Sequence, residues 1–196
     1  MGNGNMNFED SNHASYAISL GFALTIANRR ETMKKFENAY GKYEQWTKTT
    51  PWQKHQANFD AARELGLANE SFVKVARYPF YNTLMPAIER VIEISCRNKV
   101  QCEAAITTLA IMRYKQDKGD YPETLEQLVE AGYLKEIPMD PWSDKPLVYR
   151  KTEGNFILYS VGKNFVDDGG QVIRDDKGKV KQYADEGDWI FWPVVK

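Results

Sequence analysis

The chain has 196 residues, of which 42% are hydrophobic, 13% aromatic and 27% charged. This apolar content is too high for an intrinsically disordered chain, so we expect a folded globular protein with a real core. The 26 Lys and Arg residues nearly balance the 27 Asp and Glu residues, which gives a net charge of -1. The net charge therefore gives no overall electrostatic attraction to a nucleic acid or an anionic membrane.

Only two histidines and two cysteines are present, which limits metal and redox chemistry. Structural zinc usually takes four Cys or His ligands, and catalytic zinc usually takes three protein ligands. Cys96 and Cys102 lie in one predicted helix, where a rise of 1.5 Å per residue separates them by about 9 Å along the axis. A disulfide tolerates a Cα separation of about 7 Å, so we expect both thiols to be free.

The most apolar stretch near the start of the chain covers residues 14–27. It is shorter than the roughly 20 residues that span a bilayer. Glu9 and Asp10 precede it, where a signal peptide would carry Lys or Arg. The sequence thus predicts neither a secretory signal nor a membrane span here, and attachment to a membrane would need an anchor that this chain does not contain.

The first 118 residues carry a helical pattern that is interrupted at Pro and Gly. Ser11 can cap a first helix, whose apolar residues continue at steps of three and four. Thr50 followed by Pro51 is typical of the start of a second helix. A short third helix is predicted over residues 69–77.

The longest helix is predicted to run from about Thr83 to Lys118, with Pro86 in its first turn and Gly119 as its end. Charged residues ring most of this helix, so we expect it to pack on one side. The residues of the apolar stripe are assigned to the core rather than to a partner-binding face: Ile88, Val91, Ile92, Ser95, Cys102, Ile106 and Leu109.

After Gly119 the pattern becomes mixed. The segment Thr124-Leu-Glu-Gln127 has the form of a capping box and predicts a short helix. Strand-like runs follow at residues 147–150, 156–161 and 189–192, the first two separated by a hairpin-sized loop that ends at Gly154.

The predicted fold class is therefore α+β. A long amphipathic helix packs on a small three-stranded antiparallel sheet, and an all-helical N-terminal region precedes them. The predicted domains are residues 1–80, the helical region, and residues 81–196, the α+β domain.

The loop between the last two strands gathers oxygen-bearing side chains. Such side chains, with backbone carbonyls, are the hard ligands that calcium takes in groups of six to eight. Glycines let the backbone fold tightly enough to turn carbonyls inward, although the spacing of an EF-hand is missing. A solvated acidic loop without metal stays open as the alternative. The candidate ligands are Asn164, Asp167, Asp168, Asp185 and Asp188.

Catalytic motifs are not found in the sequence. There is no Gly-rich phosphate loop and no nucleophile elbow. One enzymatic alternative stays open, in which His55 and either Cys96 or Cys102 meet in space, because sequence alone does not decide that proximity. We expect a protein that is not an enzyme.

Residues 105–192 resemble the C-terminal domain of the major pseudopilin of type II secretion systems. The resemblance depends on the order and spacing of several short segments rather than on any one of them. In chain order they are Ala110-Ile-Met-Arg-Tyr-Lys-Gln-Asp-Lys-Gly119, Asp120-Tyr-Pro122, Gly132-Tyr-Leu-Lys-Glu-Ile-Pro-Met-Asp-Pro-Trp142, Tyr149, Leu158-Tyr-Ser-Val-Gly162, Asp168-Gly-Gly170 and Asp188-Trp-Ile190.

The resemblance implies a non-catalytic assembly protein that takes part in protein transport. It implies a periplasmic or otherwise extracytoplasmic location, with membrane tethering in a longer native form, and partners that are other protein subunits or further copies of itself. It also implies a calcium ion that stabilises the last loop. Asn164 falls where the family usually has its first loop aspartate, and Asp188 falls near the family's last acidic position.

Two features differ from the family pattern. A helical region over residues 1–80 comes first, and residues 171–183 make the last loop longer. These differences favour an alternative function, a protein-interaction module of pseudopilin-like fold with no metal and no role in secretion.

Overall fold

The computed structural model describes residues 26–68 and 71–193, and it combines helices with short strands. The predicted α+β class is thus confirmed in general terms. The helices are α1 (Arg29–Trp46), α2 (Pro51–Gln56), α3 (Ala61–Glu64), α4 (Phe72–Arg77), α5 (Pro79–Lys118) and α6 (Glu126–Glu130). The strands are β1 (Met139–Asp140), β2 (Lys145–Pro146), β3 (Val148–Thr152), β4 (Asn155–Ser160) and β5 (Trp189–Trp192).

The described residues form two compact units. The helical unit consists of those within 1–48 and 60–91, and the mixed unit consists of those within 49–59 and 92–196. Residues 49–59, which lie within the predicted helical region, thus belong to the mixed unit. The predicted domain boundary between residues 80 and 81 stays a prediction.

The core of the helical unit combines four alanines with four larger apolar side chains. The Asn28 side chain caps α1 by accepting a hydrogen bond from the Glu31 N–H at 3.0 Å. Two buried tyrosines add long-range bonds: the Tyr43 hydroxyl donates to the Met85 carbonyl at 2.9 Å, and the Tyr81 hydroxyl donates to the Leu65 carbonyl at 3.0 Å. The buried apolar residues are Ala27, Ala39, Tyr43, Ala61, Leu65, Ala76, Tyr81 and Met85.

Helix α5 begins four residues earlier than predicted, at Pro79. Proline is favoured in the first turn, where its missing N–H has no helical partner to lose, and Pro79 takes that position. Pro86 therefore lies inside the helix rather than in its first turn. The predicted end is confirmed, because α5 stops at Lys118 and Gly119 has a φ of 88°.

The assignment of the apolar stripe of α5 to the core was wrong for most of its residues. Ile106 and Leu109 are 59% and 67% exposed, and Val91, Ser95 and Cys102 are exposed as well. In the mixed unit a different set of α5 positions is buried, and it includes the small Ala104 as well as the larger Ile111. These buried residues are Val100, Ala104, Thr107, Ala110 and Ile111.

The strands of the mixed unit form two antiparallel sheets. Strands β3, β4 and β5 pair in that order in a three-stranded sheet, and β1 pairs with β2 in a separate two-stranded sheet. Ser160 lies opposite Trp189, which sets the register of β5. The buried cluster of this unit combines Ala104 and Ile111 of α5 with Phe156 and Leu158 of β4.

Helix α6 forms without the predicted capping box. It begins at Glu126, and no side-chain hydrogen bond caps it. Instead, the Gln127 side-chain oxygen accepts a hydrogen bond from the Glu123 N–H at 2.9 Å. The segment is helical as expected, but Thr124 is not its cap.

Within residues 26–68 and 71–193, none of the helices combines the length and the apolar character that crossing a bilayer requires. The apolar stretch at residues 14–27 and the predicted cap at Ser11 lie almost wholly outside these residues.

Candidate functional site

The loop over residues 162–188 connects β4 to β5, and its two ends meet at a narrow neck. Gly162 has a φ of 73°, in the left-handed region that favours glycine. A Cβ atom at this position would lie 2.8 Å from the Gly187 carbonyl oxygen and 3.0 Å from Trp189 Nε1. The approach of the two loop ends therefore requires a residue without a side chain at Gly162.

Asp188, the last residue of the loop, is a buried carboxylate. It is 5% exposed, and its Oδ1 accepts a hydrogen bond from the Asp168 N–H at 3.3 Å. Its Oδ2 accepts a hydrogen bond from the Gly170 N–H at 2.6 Å. Burial raises the pKa of Asp188, and the charges of Asp167 and Asp168 raise it further, while the two backbone donors act in the opposite direction.

Asn164 and Asp168 adjoin this carboxylate. The Asn164 Nδ2 donates to Asp168 Oδ2 at 2.8 Å, and Asn164 Oδ1 accepts a hydrogen bond from the Val166 N–H at 3.1 Å. Because the Asp168 N–H in turn bonds Asp188, these three residues belong to one hydrogen-bonded chain. The structure thus brings together three of the five predicted ligands.

The other two predicted ligands interact with different groups. Asp167 Oδ1 accepts hydrogen bonds from the Tyr159 hydroxyl at 2.8 Å and from the Gly169 N–H at 2.9 Å. Asp185 is exposed, and its Oδ1 lies 3.0 Å from Lys163 Nζ. The hydrogen bond to Asp185 is the main cause of a raised pKa at Lys163.

Calcium requires six to eight oxygen ligands, and the predicted ligands supply only part of that number. Among the residues that the structure describes, no group of three or more His, Cys, Asp or Glu side chains is placed to hold a metal ion. Asn164, Asp168 and Asp188 supply one amide and two carboxylates, which are oxygen donors of the kind that calcium prefers. Three side chains fall short of the six to eight oxygens of a calcium site, and all five predicted ligands already bond protein groups.

The sequence interpretation missed a second buried carboxylate, Asp140, which it included only in the family resemblance. Asp140 is fully buried, and its Oδ1 accepts hydrogen bonds from the Trp142 N–H at 3.0 Å and from the Ser160 hydroxyl at 2.9 Å. Its Oδ2 accepts a third from the Val161 N–H at 2.9 Å. Burial raises the pKa of Asp140, and these donors act against that rise. Asp140 thus connects the turn after β1 to the start of the loop.

One signal in the sequence could have indicated this role. Asp140 opens the Asp140-Pro-Trp142 segment of the family resemblance, and Trp142 is one of the largest fully buried side chains. A carboxylate two residues before a buried aromatic residue is positioned to accept that residue's backbone N–H.

Helix α2 contacts both the turn between β1 and β2 and the β4–β5 loop. The Trp52 N–H donates to the Pro141 carbonyl at 3.1 Å, and Gln53 Nε2 donates to Asp144 Oδ2 at 2.9 Å. The His55 ring stacks on the Phe165 ring with centroids 4.1 Å apart. Phe165 has a φ of 61°, so an aromatic contact helps to hold a residue in a conformation that non-glycine residues rarely adopt.

The expectation of free thiols is confirmed. Cys96 is half-buried and Cys102 is exposed, and neither is in a disulfide. The His55 ring stacks on Phe165, and the His55 and cysteine enzyme hypothesis stays a prediction.

No family model, curated protein or solved structure matches the chain. Function is therefore inferred from the residues and contacts described above.

Proposed function

We propose that this protein is a non-catalytic assembly protein of the type II secretion pseudopilin kind, located outside the cytoplasm, with a last loop stabilised by calcium. The observation that carries the proposal is the order of elements in the mixed unit. A long helix is followed by a short helix, a three-stranded antiparallel sheet, and a β4–β5 loop that gathers Asn164, Asp168 and Asp188.

The buried cluster supports the finer part of the proposed fold, a long helix packed on the sheet. Val100, Ala104 and Ile111 of α5 belong to the same cluster as Phe156 and Leu158 of β4. This is the packing that the pseudopilin resemblance implies.

The proposed calcium ion acts mechanically. Asn164, Asp168 and Asp188 would hold it, and its charge would offset the repulsion between the carboxylates in the loop. Asp188 directly precedes β5, so a cation at this residue would hold the last strand on the sheet.

The exposed face of α5 supports assembly with other subunits or further copies. In the mixed unit, Cys102, Ile106 and Leu109 lie at helical spacing and are all exposed. Contiguous exposed apolar patches, where they are large, mark protein contacts. The proposed partner is another protein subunit bound along this helix.

Thermal unfolding with and without calcium tests the metal. We expect excess calcium to raise the melting temperature of the native chain, because an ion that binds only the folded state at 100 times its Kd adds about 2.7 kcal/mol of stability. The Asp168→Asn/Asp188→Asn variant should lose this response. An unchanged melting temperature for the native chain would remove calcium from the proposal.

A matched control separates the site from the general charge of the loop. The Asp176→Asn/Glu186→Gln variant changes the net charge by the same amount at two exposed positions of the same loop. It should keep the full calcium response. A loss of response in this control would mean that calcium acts on the overall charge and not on a defined site.

A second candidate function is an interaction module with no metal and no role in secretion. It is favoured by the contacts of the carboxylates, because both Asp188 oxygens already accept backbone N–H bonds and Asp167 and Asp185 already have protein partners. Deleting the gene in the organism that encodes it should reduce export of secreted proteins under the first proposal. Unchanged export, together with no calcium response, would favour the second.

A further inference from the structure

The helical unit leaves many of its large apolar side chains exposed. Of the thirteen large hydrophobic residues that are exposed within the described ranges, nine belong to this unit, although it is the smaller of the two. Soluble monomers rarely expose contiguous apolar patches larger than a few hundred Å². The nine residues are Ile26, Met33, Tyr40, Phe72, Val73, Val75, Phe80, Leu84 and Val91.

Part of this set forms a continuous stripe on the first turns of α5, which we call the apolar face. It consists of Phe80, Leu84, Ala87 and Val91, and the three large side chains are 78%, 51% and 63% exposed. Steps of four, three and four residues keep side chains on one side of a helix and are typical of a surface that packs against a second helix. At 1.5 Å per residue the apolar face is about 16 Å long.

The first described residues, Ile26 and Ala27, lie beside the N-terminal end of the apolar face. The Ala27 N–H donates to the Arg77 carbonyl at 2.8 Å, and the Arg77 guanidinium lies 2.7 Å from Glu31 Oε2. Ala27 is therefore held next to Arg77, which lies three positions before Phe80.

The residues before Ile26 have an apolar composition, which suits a segment that packs against the apolar face. Residues 14–25, which lie outside the described ranges, read Ala14-Ser-Tyr-Ala-Ile-Ser-Leu-Gly-Phe-Ala-Leu-Thr25 and contain no charged side chain. Twelve residues in a helix extend over about 18 Å, which matches the length of the face.

We propose that residues 14–25 dock on the apolar face and cover Phe80, Leu84 and Val91. One helix face about 16 Å long and about 10 Å wide offers far less than the roughly 800 Å² per partner of a stable dimer. A segment of the same chain needs less area, because its attachment at Ala27 keeps its local concentration high. This proposal is independent of the proposed calcium site and of secretion.

Hydrogen–deuterium exchange on the full 196-residue protein tests the docking. We expect the amides of residues 14–25 to exchange at least about tenfold more slowly than in an unstructured peptide. Phe80→Ser/Leu84→Ser should remove that protection. The matched control Ile106→Ser/Leu109→Ser changes two equally exposed apolar residues of the mixed unit and should leave residues 14–25 protected.

Several results would overturn the proposal. Exchange of residues 14–25 at the unstructured rate in the native chain would do so, as would protection that survives Phe80→Ser/Leu84→Ser. Protection that disappears on dilution, with a dimer in sedimentation, would identify a second copy as the occupant. Protection that arises only with added phosphatidylcholine vesicles would identify a lipid surface instead.

A second variant covers the case in which Phe80→Ser/Leu84→Ser does not fold, as judged by exchange in residues 92–193. Leu20→Ser/Leu24→Ser changes the segment rather than the face. It should raise the fluorescence of a dye that binds exposed apolar surface, and no rise would contradict the proposal.

Discussion

The helical unit and the mixed unit fill their interiors with different side chains. Half of the buried apolar residues in the helical unit are alanines, whereas Trp142, Phe156, Tyr159 and Trp189 are buried in the mixed unit. Because the hydrophobic contribution scales with the apolar area removed from water, each buried residue of the mixed unit contributes more. The helical unit adds two long-range tyrosine hydrogen bonds to its core, and it leaves many apolar side chains exposed.

Phe156→Ala should produce the largest loss of stability and would test the aromatic core directly. Phe156 is fully buried, and its ring centroid lies 5.3 Å from that of Tyr121 and 5.5 Å from that of Trp192. We expect a loss of about 3–5 kcal/mol in the free energy of unfolding, measured by urea denaturation. The exposed control Val166→Ala should change it by less than about 0.5 kcal/mol. A loss below about 1 kcal/mol for Phe156→Ala would mean that the aromatic core is not the main source of stability.

Asp140→Asn should have the next largest effect and would show that the mixed unit also needs a buried polar centre. The amide replaces one carboxylate oxygen by a donor, so at least one of the three present donors loses its acceptor. We expect a loss of about 1–3 kcal/mol in urea denaturation. The exposed Asp176→Asn is the control, and equal stabilities for the two variants would refute a role for Asp140.

Tyr43→Phe and Tyr81→Phe should destabilise the helical unit by about 1 kcal/mol each, because each leaves a carbonyl without its buried donor. Burial raises the pKa of Tyr43 to about 12, so its hydroxyl stays protonated at neutral and mildly alkaline pH. Hydrogen exchange should increase in residues 29–46 more than in residues 148–192. Tyr40→Phe, at an exposed tyrosine of the same helix, is the matched control. An equal increase of hydrogen exchange in residues 29–46 and 148–192 would contradict the expectation that these tyrosines stabilise the helical unit in particular.

Asp185→Asn should have the smallest effect, because the ion pair with Lys163 is solvent-exposed. We expect a loss of at most about 0.5–1 kcal/mol at low salt. The difference from the native chain should vanish at about 1 M salt, where charges are screened within about 3 Å. A salt-independent loss would show that Asp185 has a further role in the loop.

The strands and the end of α5 could be predicted because their signals are local. Alternating apolar residues predicted strands at residues 147–150, 156–161 and 189–192, and the observed strands are Val148–Thr152, Asn155–Ser160 and Trp189–Trp192. Within the candidate site, the loop between the last two strands placed Asn164, Asp168 and Asp188 close together. Composition alone did not separate these three from Asp167 and Asp185, which bond other groups.

Other features depend on contacts between residues far apart in the sequence. Asp140 bonds Ser160 and Val161, and Trp52 bonds Pro141, and no local pattern indicates these partners. Periodicity also failed to identify the buried side of α5. Periodicity ranks the faces of a helix by hydrophobicity, whereas the buried positions of α5 include the polar Thr107 and the small Ala104, which such a ranking places low.

The close approach of Gly162 to Gly187 affects how the length of the β4–β5 loop can vary. These glycines and Asp188 determine where the chain enters β5, and Tyr183 and Asp185 also make fixed contacts, so only the exposed turn at residues 175–179 can vary in length. The entropic cost of closing a longer loop rises only slowly with its length. An insertion at the exposed turn around Lys177 would therefore leave Ser160 opposite Trp189, and this turn is a place where diverging sequences can acquire new recognition elements without disturbing the fold.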